Sequence, residues 1–121
     1  MAQYQAGSGS HWGVWFDDSV SEDGYGYSVS FTAGMYADQY WSFDTDYNII
    51  SWSSSTGASG SATRSVNFGP GGSVQLISGS FYIPKTHSYQ QPTLTVKLDR
   101  TGSGFMPGTA TASNAYAVSA R

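Results

Sequence analysis

The stretch that decides the fold is YGYSVSFTAGMY, residues 25–36. Larger apolar side chains stand at every second position, with glycine, serine or threonine between them. The larger set is Tyr25, Tyr27, Val29, Phe31, Ala33 and Met35. A period of two places these side chains on one face of a strand, whereas a helix would scatter them around its axis. The stretch therefore predicts a long strand with one buried face.

The same alternation continues on both sides of this stretch. Upstream, residues 11–16 place Trp12, Val14 and Phe16 on one face. Downstream, further strands are predicted in QYWSF, YNIISW, ATRSVNF, SVQLI, SFYIP, TLTVKLDR and TATASNAYAVSA, and loops such as SSSTGASGS and GPGG separate some of them. A total of about eight or nine short strands predicts an all-β fold. We expect an antiparallel, immunoglobulin-like β-sandwich without significant helix, with a small β-barrel as the alternative.

Length and composition limit the classes of protein to which this chain can belong. A chain of 121 residues fits one domain, 1–121, in which residues 1–10 are expected to form a flexible or loosely held N-terminal arm. The chain has no cysteine, which excludes disulfides and thiol chemistry. No apolar run approaches the roughly 18 residues that span a bilayer. Residues 1–10 also lack the basic and apolar segments of a signal peptide.

Charge is scarce and unevenly distributed. Charged residues make up 11% of the chain, against about 25% in ordinary soluble domains. Residues 1–63 hold seven carboxylates and no Lys or Arg, whereas residues 64–121 hold five basic residues and Asp99 alone. Cross-strand pairing between the halves explains this, and so does a module with an acidic end and a basic end that contacts neighbouring subunits. The net charge of −3 argues against nucleic acid as a partner.

Catalysis has little support in the sequence. His11 and His87 are the only imidazoles, Glu22 is the only glutamate, and no G-x-S-x-G motif is present. A hydrolytic triad needs a base oriented by a carboxylate, and glycosidases need two carboxylates that flank a cleft. We therefore expect no enzymatic activity and no cofactor.

Two acidic stretches contain carboxylates at spacings that a metal site could use. DTDYN spaces Asp44, Asp46 and Asn48 as a calcium loop begins, but Ile49 and Ser55 occupy the positions where such a loop needs glycine and glutamate. The stretch DDSVSED holds four carboxylates within seven residues. Solvated turn carboxylates account for both stretches, and we expect no metal site.

The aromatic residues are the most informative surface candidates. Six of them in the first half are too many for one thin core layer: Trp12, Trp15, Tyr40, Trp41, Tyr47 and Trp52. Trp12, Trp41 and Trp52 could fill the core, exposed rings could anchor a subunit contact, or exposed rings could stack on sugars. As the candidate contact or glycan-stacking surface we take Trp15, Tyr40 and Trp41.

One segment resembles a known class of proteins. SGSFYIPKTHSYQQPTLTVKLDRTGSGFMPGTATAS, residues 78–113, is similar to immunoglobulin-like modules of siphophage virion proteins, in which an IPKTH strand end, a TLTVKL strand and a PGT loop recur. The resemblance implies a β-sandwich without catalytic residues, in the tail or on the particle surface. It also implies a protein made in the host cytoplasm and released by lysis, so that no signal peptide is needed.

These observations lead to one functional expectation and one alternative. We expect a non-enzymatic virion structural protein, tail-associated or head-decorating, that forms homo-oligomers and contacts other virion subunits. No nucleic acid or membrane partner is expected. The alternative is a carbohydrate-binding module that recognises host surface glycans through exposed Trp and Tyr rings.

Overall fold

The computed structural model describes residues 2–7, 12–38, 43–101 and 108–121. Its strands, in chain order, are β1 (Ala2–Gly7), β2 (Trp12–Glu22), β3 (Gly26–Ala37), β4 (Phe43–Ser54), β5 (Ser59–Phe68), β6 (Ser73–Pro84), β7 (Thr93–Asp99) and β8 (Thr109–Ala115). Over these ranges we find no helix that is long and apolar enough to cross a membrane.

The strands form two antiparallel sheets that pack face to face. Strands β2, β3 and β6 form the first sheet, and the second has the order β5-β4-β7-β8. Strand β1 extends the first sheet along the free side of β2, so that part of the expected N-terminal arm lies in an edge strand. The predicted sandwich is confirmed, with seven strands in its packed layers instead of eight or nine.

The packed layers hold fewer strands than predicted because the chain breaks less often than expected. SVQLI and SFYIP belong to one strand, β6, since Gly79 stays in register opposite Phe31. The last predicted strand ends at Ala115, and Val118 forms only an isolated bridge with Gln90. Of the predicted strand QYWSF, residues 39–42 lie outside the described residues.

The order of crossings gives the sandwich its immunoglobulin-like character. The chain leaves the first sheet after β3, forms the β4–β5 hairpin in the second, and returns as β6 beside β3. It then crosses again to place β7 beside β4. Alternating crossings of this kind generate the Greek-key connections of immunoglobulin-like domains.

Trp52 of β4 lies at the centre of the core. Its ring meets Phe31 edge-on at a centroid distance of 5.0 Å and stacks on Phe81 at 6.2 Å. Because the chain has no cysteine, aromatic packing joins the sheets where antibody domains use a disulfide. Trp12 is also buried, which confirms that two of the three tryptophans expected in the core lie there; Trp41 lies outside the described residues.

Two polar clusters also lie between the sheets. Near one end, the Tyr116 hydroxyl donates to Asp18 Oδ2 at 2.5 Å, and Asn114 Nδ2 lies 3.4 Å from the same oxygen. Near the other, Arg100 Nη1 donates to Asn48 Oδ1 at 2.5 Å. Buried polar groups are costly unless they are hydrogen-bonded, so these contacts allow polar side chains inside the sandwich.

Candidate contact surface

The turn between β2 and β3 displays an exposed tyrosine. Asp23 Oδ1 accepts hydrogen bonds from the backbone N–H groups of Tyr25 and Gly26, both at 2.9 Å. Gly24 has a φ of 87°, in the left-handed region that favours glycine. Tyr25 is 74% exposed. The turn therefore presents a large aromatic ring to solvent from a hydrogen-bonded backbone.

A second tyrosine is tied to the same turn from the first sheet. Tyr82 of β6 donates its hydroxyl to Asp23 Oδ1 at 3.2 Å. Its ring lies over Gly26, where an added Cβ would stand 2.5 Å from the ring carbon Cζ and 2.5 Å from the Ile83 carbonyl oxygen. Glycine at this position therefore lets the ring lie close to the backbone.

An ion pair borders the turn. Lys85 Nζ lies 2.5 Å from Glu22 Oε2 and 5.5 Å from the centroid of the Tyr27 ring. The Lys85 backbone N–H donates to the Tyr25 carbonyl at 2.9 Å. Glu22 comes from the acidic half of the sequence and Lys85 from the basic half. The pair therefore confirms, at this site, the prediction that opposite charges of the two halves pair within one sandwich.

The loop after β6 carries a third tyrosine. Thr86 Oγ1 accepts a hydrogen bond from Ser88 N–H at 3.2 Å, and Gln90 Nε2 donates to the Pro84 carbonyl at 2.9 Å. The Arg121 N–H donates to the Thr86 carbonyl at 2.8 Å. Tyr89 in this loop is 58% exposed. Several bonds thus hold the loop that presents its ring.

The contacts of the turn also shift the pKa values of the ionisable side chains in and beside it. Hydrogen bonds from backbone N–H groups, that of Tyr25 first, hold the pKa of Asp23 below its ordinary value. The hydrogen bond from Lys85 lowers the pKa of Glu22, and the same bond raises the pKa of Lys85. Desolvation, followed by the hydrogen bond to Asp23, raises the pKa of Tyr82. Charged side chains of both signs therefore lie beside the Tyr82 hydroxyl.

We call Tyr25, Tyr82 and Tyr89 the tyrosine surface: Tyr25 and Tyr82 both bond to Asp23, and Tyr89 lies in the loop that begins at Lys85, whose N–H bonds to Tyr25. The sequence does not predict this surface, because the alternating pattern assigns Tyr25 to the buried face of the long strand. That assignment is wrong: β3 begins at Gly26, and Tyr25 belongs to the turn. The signal was the Asp23-Gly24 pair, a dipeptide typical of turns.

The predicted surface residues lie elsewhere. Trp15 of β2 is only 8% exposed, and its Nε1–H donates to the Met35 carbonyl at 3.2 Å. Its ring therefore offers no open face for stacking on a sugar in this structure. Tyr40 and Trp41 lie outside the described residues. The predicted contact surface of Trp15, Tyr40 and Trp41 therefore stays a prediction, with Trp15 buried in this structure.

The described residues line two surface grooves. A groove of about 420 Å³ on the outer face of the second sheet is lined mainly by serine and threonine, and Lys97 is its titratable residue. A smaller one beside β2 and β3 is lined by Asp17 and Asp18. Over the described ranges, no three His, Cys, Asp or Glu side chains are placed to hold a metal ion. Asn48, one of the calcium-loop candidates, faces the core.

Comparison with known proteins adds no relative. No protein-family model, no curated protein and no solved structure matches this chain.

Proposed function

We propose that this chain is a non-enzymatic structural protein of a bacteriophage virion, tail-associated or head-decorating, that works through protein–protein contacts. The observation that carries the proposal is the tyrosine surface. Tyr25, Tyr82 and Tyr89 are 74%, 42% and 58% exposed. Tyr25 lies in a turn, Tyr82 on β6 and Tyr89 in a loop, and hydrogen bonds hold the turn and the loop in place.

Tyrosine is well suited to such a role. It supplies a large apolar ring with a polar tip, and it is enriched among the residues that dominate binding energy in protein interfaces. Positioning the rings before binding reduces the entropy lost when a partner orders them. The charges of Glu22, Asp23 and Lys85 beside the rings favour a partner with a complementary charge pattern.

The virion assignment rests on the resemblance of residues 78–113 to siphophage virion modules. This segment includes Tyr82, Tyr89 and the loop between them. It thus supplies two of the three rings of the tyrosine surface. The partners we propose are other virion subunits, including further copies of this chain.

The test is incorporation into particles of the tailed phage that encodes the chain. We expect mass spectrometry to detect the chain in gradient-purified particles, with a Tyr25→Ser variant incorporated about tenfold less. Tyr47→Ser is the matched control, because Tyr47 is also exposed, at 46%, but lies on β4 of the second sheet. Absence of the chain from particles, or equal incorporation of both variants, would contradict the proposal.

The carbohydrate-binding alternative depended on exposed rings that include Trp15. Since Trp15 is buried, no described feature favours that alternative over subunit contact. A glycan array probed with the purified chain separates the two functions. Binding that is lost in Trp41→Ala but kept in Tyr25→Ser would favour the glycan-binding function.

A further inference from the structure

Strand β5 forms an open edge of the second sheet. It pairs with β4 on one side, and between residues 59–67 and the other described residues we find no further backbone hydrogen bond. Its sequence SGSATRSVNF holds one charge, Arg64, and no proline, lysine or carboxylate. Proteins usually protect edge strands with such residues or with bulges, because unpaired backbone groups recruit another strand.

The alternation along β5 shows which groups face outward. Ser54 N–H donates to the Ala58 carbonyl at 2.8 Å, which marks these opposite residues as a hydrogen-bonded pair. Hydrogen-bonded pairs recur at every second residue of an antiparallel ladder. Even-numbered residues of β5 therefore bond to β4, and the N–H and C=O groups of Ser59, Ser61, Thr63 and Ser65 face the open edge. The bond from Arg64 Nη1 to the Thr63 carbonyl, 3.2 Å, agrees with this alternation.

Strand β6, the edge of the first sheet on the same side, is less regular. In β6 the register shifts between Ala33 and Gly34 of its neighbour β3, and Leu76 is the extra residue. Pro84, at the end of β6, has no N–H to donate. On the opposite side of the sandwich β1 lies against β8, and on this side β5 lies against β6. Because β5 has neither an extra residue of its own nor a proline, it is better suited than β6 to pair with a new strand.

We infer that β5 pairs with β5 of a second copy of this chain, antiparallel, about a two-fold axis at Ala62. This inference deepens the proposed function, since it names the contact by which copies of a structural protein would join. The register places Ser59 opposite Ser65 and Ser61 opposite Thr63 of the second copy. All four outward-facing residues then pair, with about eight backbone hydrogen bonds. The two second sheets become one continuous sheet of eight strands.

The positions of the charged residue Arg64 and the small residue Ala62 are compatible with this register. Arg64 falls opposite Gly60 of the second copy, so the two guanidinium groups do not face each other. The residue on the axis, Ala62, has a small side chain, which suits the close approach of a pair that is not hydrogen-bonded. The pairing is also isologous, the type of interface that closes a dimer.

Sedimentation equilibrium of the isolated full chain tests this inference. We expect a dimer, and we expect Ser61→Pro to weaken it by about tenfold or more, because proline removes one edge N–H from each copy. The Ser61 N–H faces away from β4, so the bonds within the sheet remain. Thr63→Val is the matched control: it keeps the N–H and should keep the dimer.

Paired charges test the register without proline. Ser61→Lys combined with Thr63→Lys places ammonium groups opposite each other and should give monomers. Ser61→Glu combined with Thr63→Lys places opposite charges together and should preserve the dimer. Circular dichroism checks that each variant folds.

A wild-type chain that stays monomeric at every concentration would overturn the β5 pairing, as would a dimer that neither Ser61→Pro nor the double lysine variant weakens. Each proposal can fail alone. A monomeric chain that is still found in particles refutes only the pairing, and a dimeric chain absent from particles refutes only the virion role.

Discussion

The molecule uses the same chemical pair, a tyrosine hydroxyl on an aspartate carboxyl, at two places with different surroundings. Asp18 is 4% exposed and accepts from Tyr116 between the sheets. Asp23 lies in the exposed turn and accepts from Tyr82, which is 42% exposed. Asp18 is on β2 of the first sheet, and Tyr116 follows β8 of the second sheet. Asp23 and Tyr82 both lie at one end of the first sheet.

The difference shows that burial decides what such a bond contributes. Water competes for an exposed bond, so its loss changes stability little, but it can still fix where a ring points. A buried carboxyl that loses its donor has no water to replace it, and the desolvation cost remains. The inner pair therefore stabilises the sandwich, and the outer pair orients the tyrosine surface.

The largest expected effect is at the inner pair. Asp18→Ala removes the buried carboxylate that accepts from the Tyr116 hydroxyl and the Asn114 amide. We expect the free energy of unfolding to fall by about 2–4 kcal/mol, measured by urea denaturation. Tyr116→Phe keeps the ring against Phe81, at a centroid distance of 6.2 Å, and should cost less.

Asp17→Ala is the control for this prediction, because Asp17 is the next residue on β2 and faces the opposite side of the sheet. Its effect should stay within about 0.5 kcal/mol. Equal losses for Asp17→Ala and Asp18→Ala would show that the inner bond does not stabilise the sandwich. A double-mutant cycle of Asp18→Ala with Tyr116→Phe measures the coupling directly.

The long strands of the sandwich could be predicted from the sequence, because their alternation follows from burial of one face. Residues 26–35 of β3 and the run of Leu94, Val96 and Leu98 in β7 have the predicted faces. The inward position of Asp18 could not be predicted in the same way. A carboxylate in DDSVSED is typical of a solvated turn, and only the extension of β2 to Glu22 turns Asp18 toward Tyr116.

The candidate surface was harder to predict than the fold. Trp15 alternates with core residues, so the pattern places it on the outer face of β2, but its hydrogen bond to Met35 and its burial depend on tertiary contacts. Tyr25 continues the alternating apolar pattern, so the pattern predicts a strand that includes Tyr25. The strand instead begins at Gly26. Exposure at strand ends depends on turn geometry, and period-two patterns do not encode it.

An intermediate effect is expected at Gly26, which lies under the Tyr82 ring. Gly26→Ala forces the ring and the Ile83 carbonyl away from the new methyl group, and we expect a loss of about 1–3 kcal/mol. Gly69→Ala is the matched control, because a Cβ there meets nothing within 4 Å. Thermal unfolding of both variants measures the difference. If both variants unfold at the same temperature, the close approach at Gly26 does not constrain the turn.

The smallest expected effect is the acid titration of the outer pair. Since hydrogen bonds lower the pKa of folded Asp23, its contribution to stability is fully present above the unfolded value, about 3.9. It is lost as pH falls through the lower folded value. We expect the backbone amide NMR signals of Tyr25 and Gly26 to shift in that acid range in the wild type and to stay constant in Asp23→Asn. Tyr82→Phe should move the midpoint slightly upward, because one donor to the carboxylate is gone. A wild-type midpoint at the ordinary value for aspartate would mean that the turn does not hold Asp23 as the structure shows, and that Tyr25 is not fixed before a partner binds.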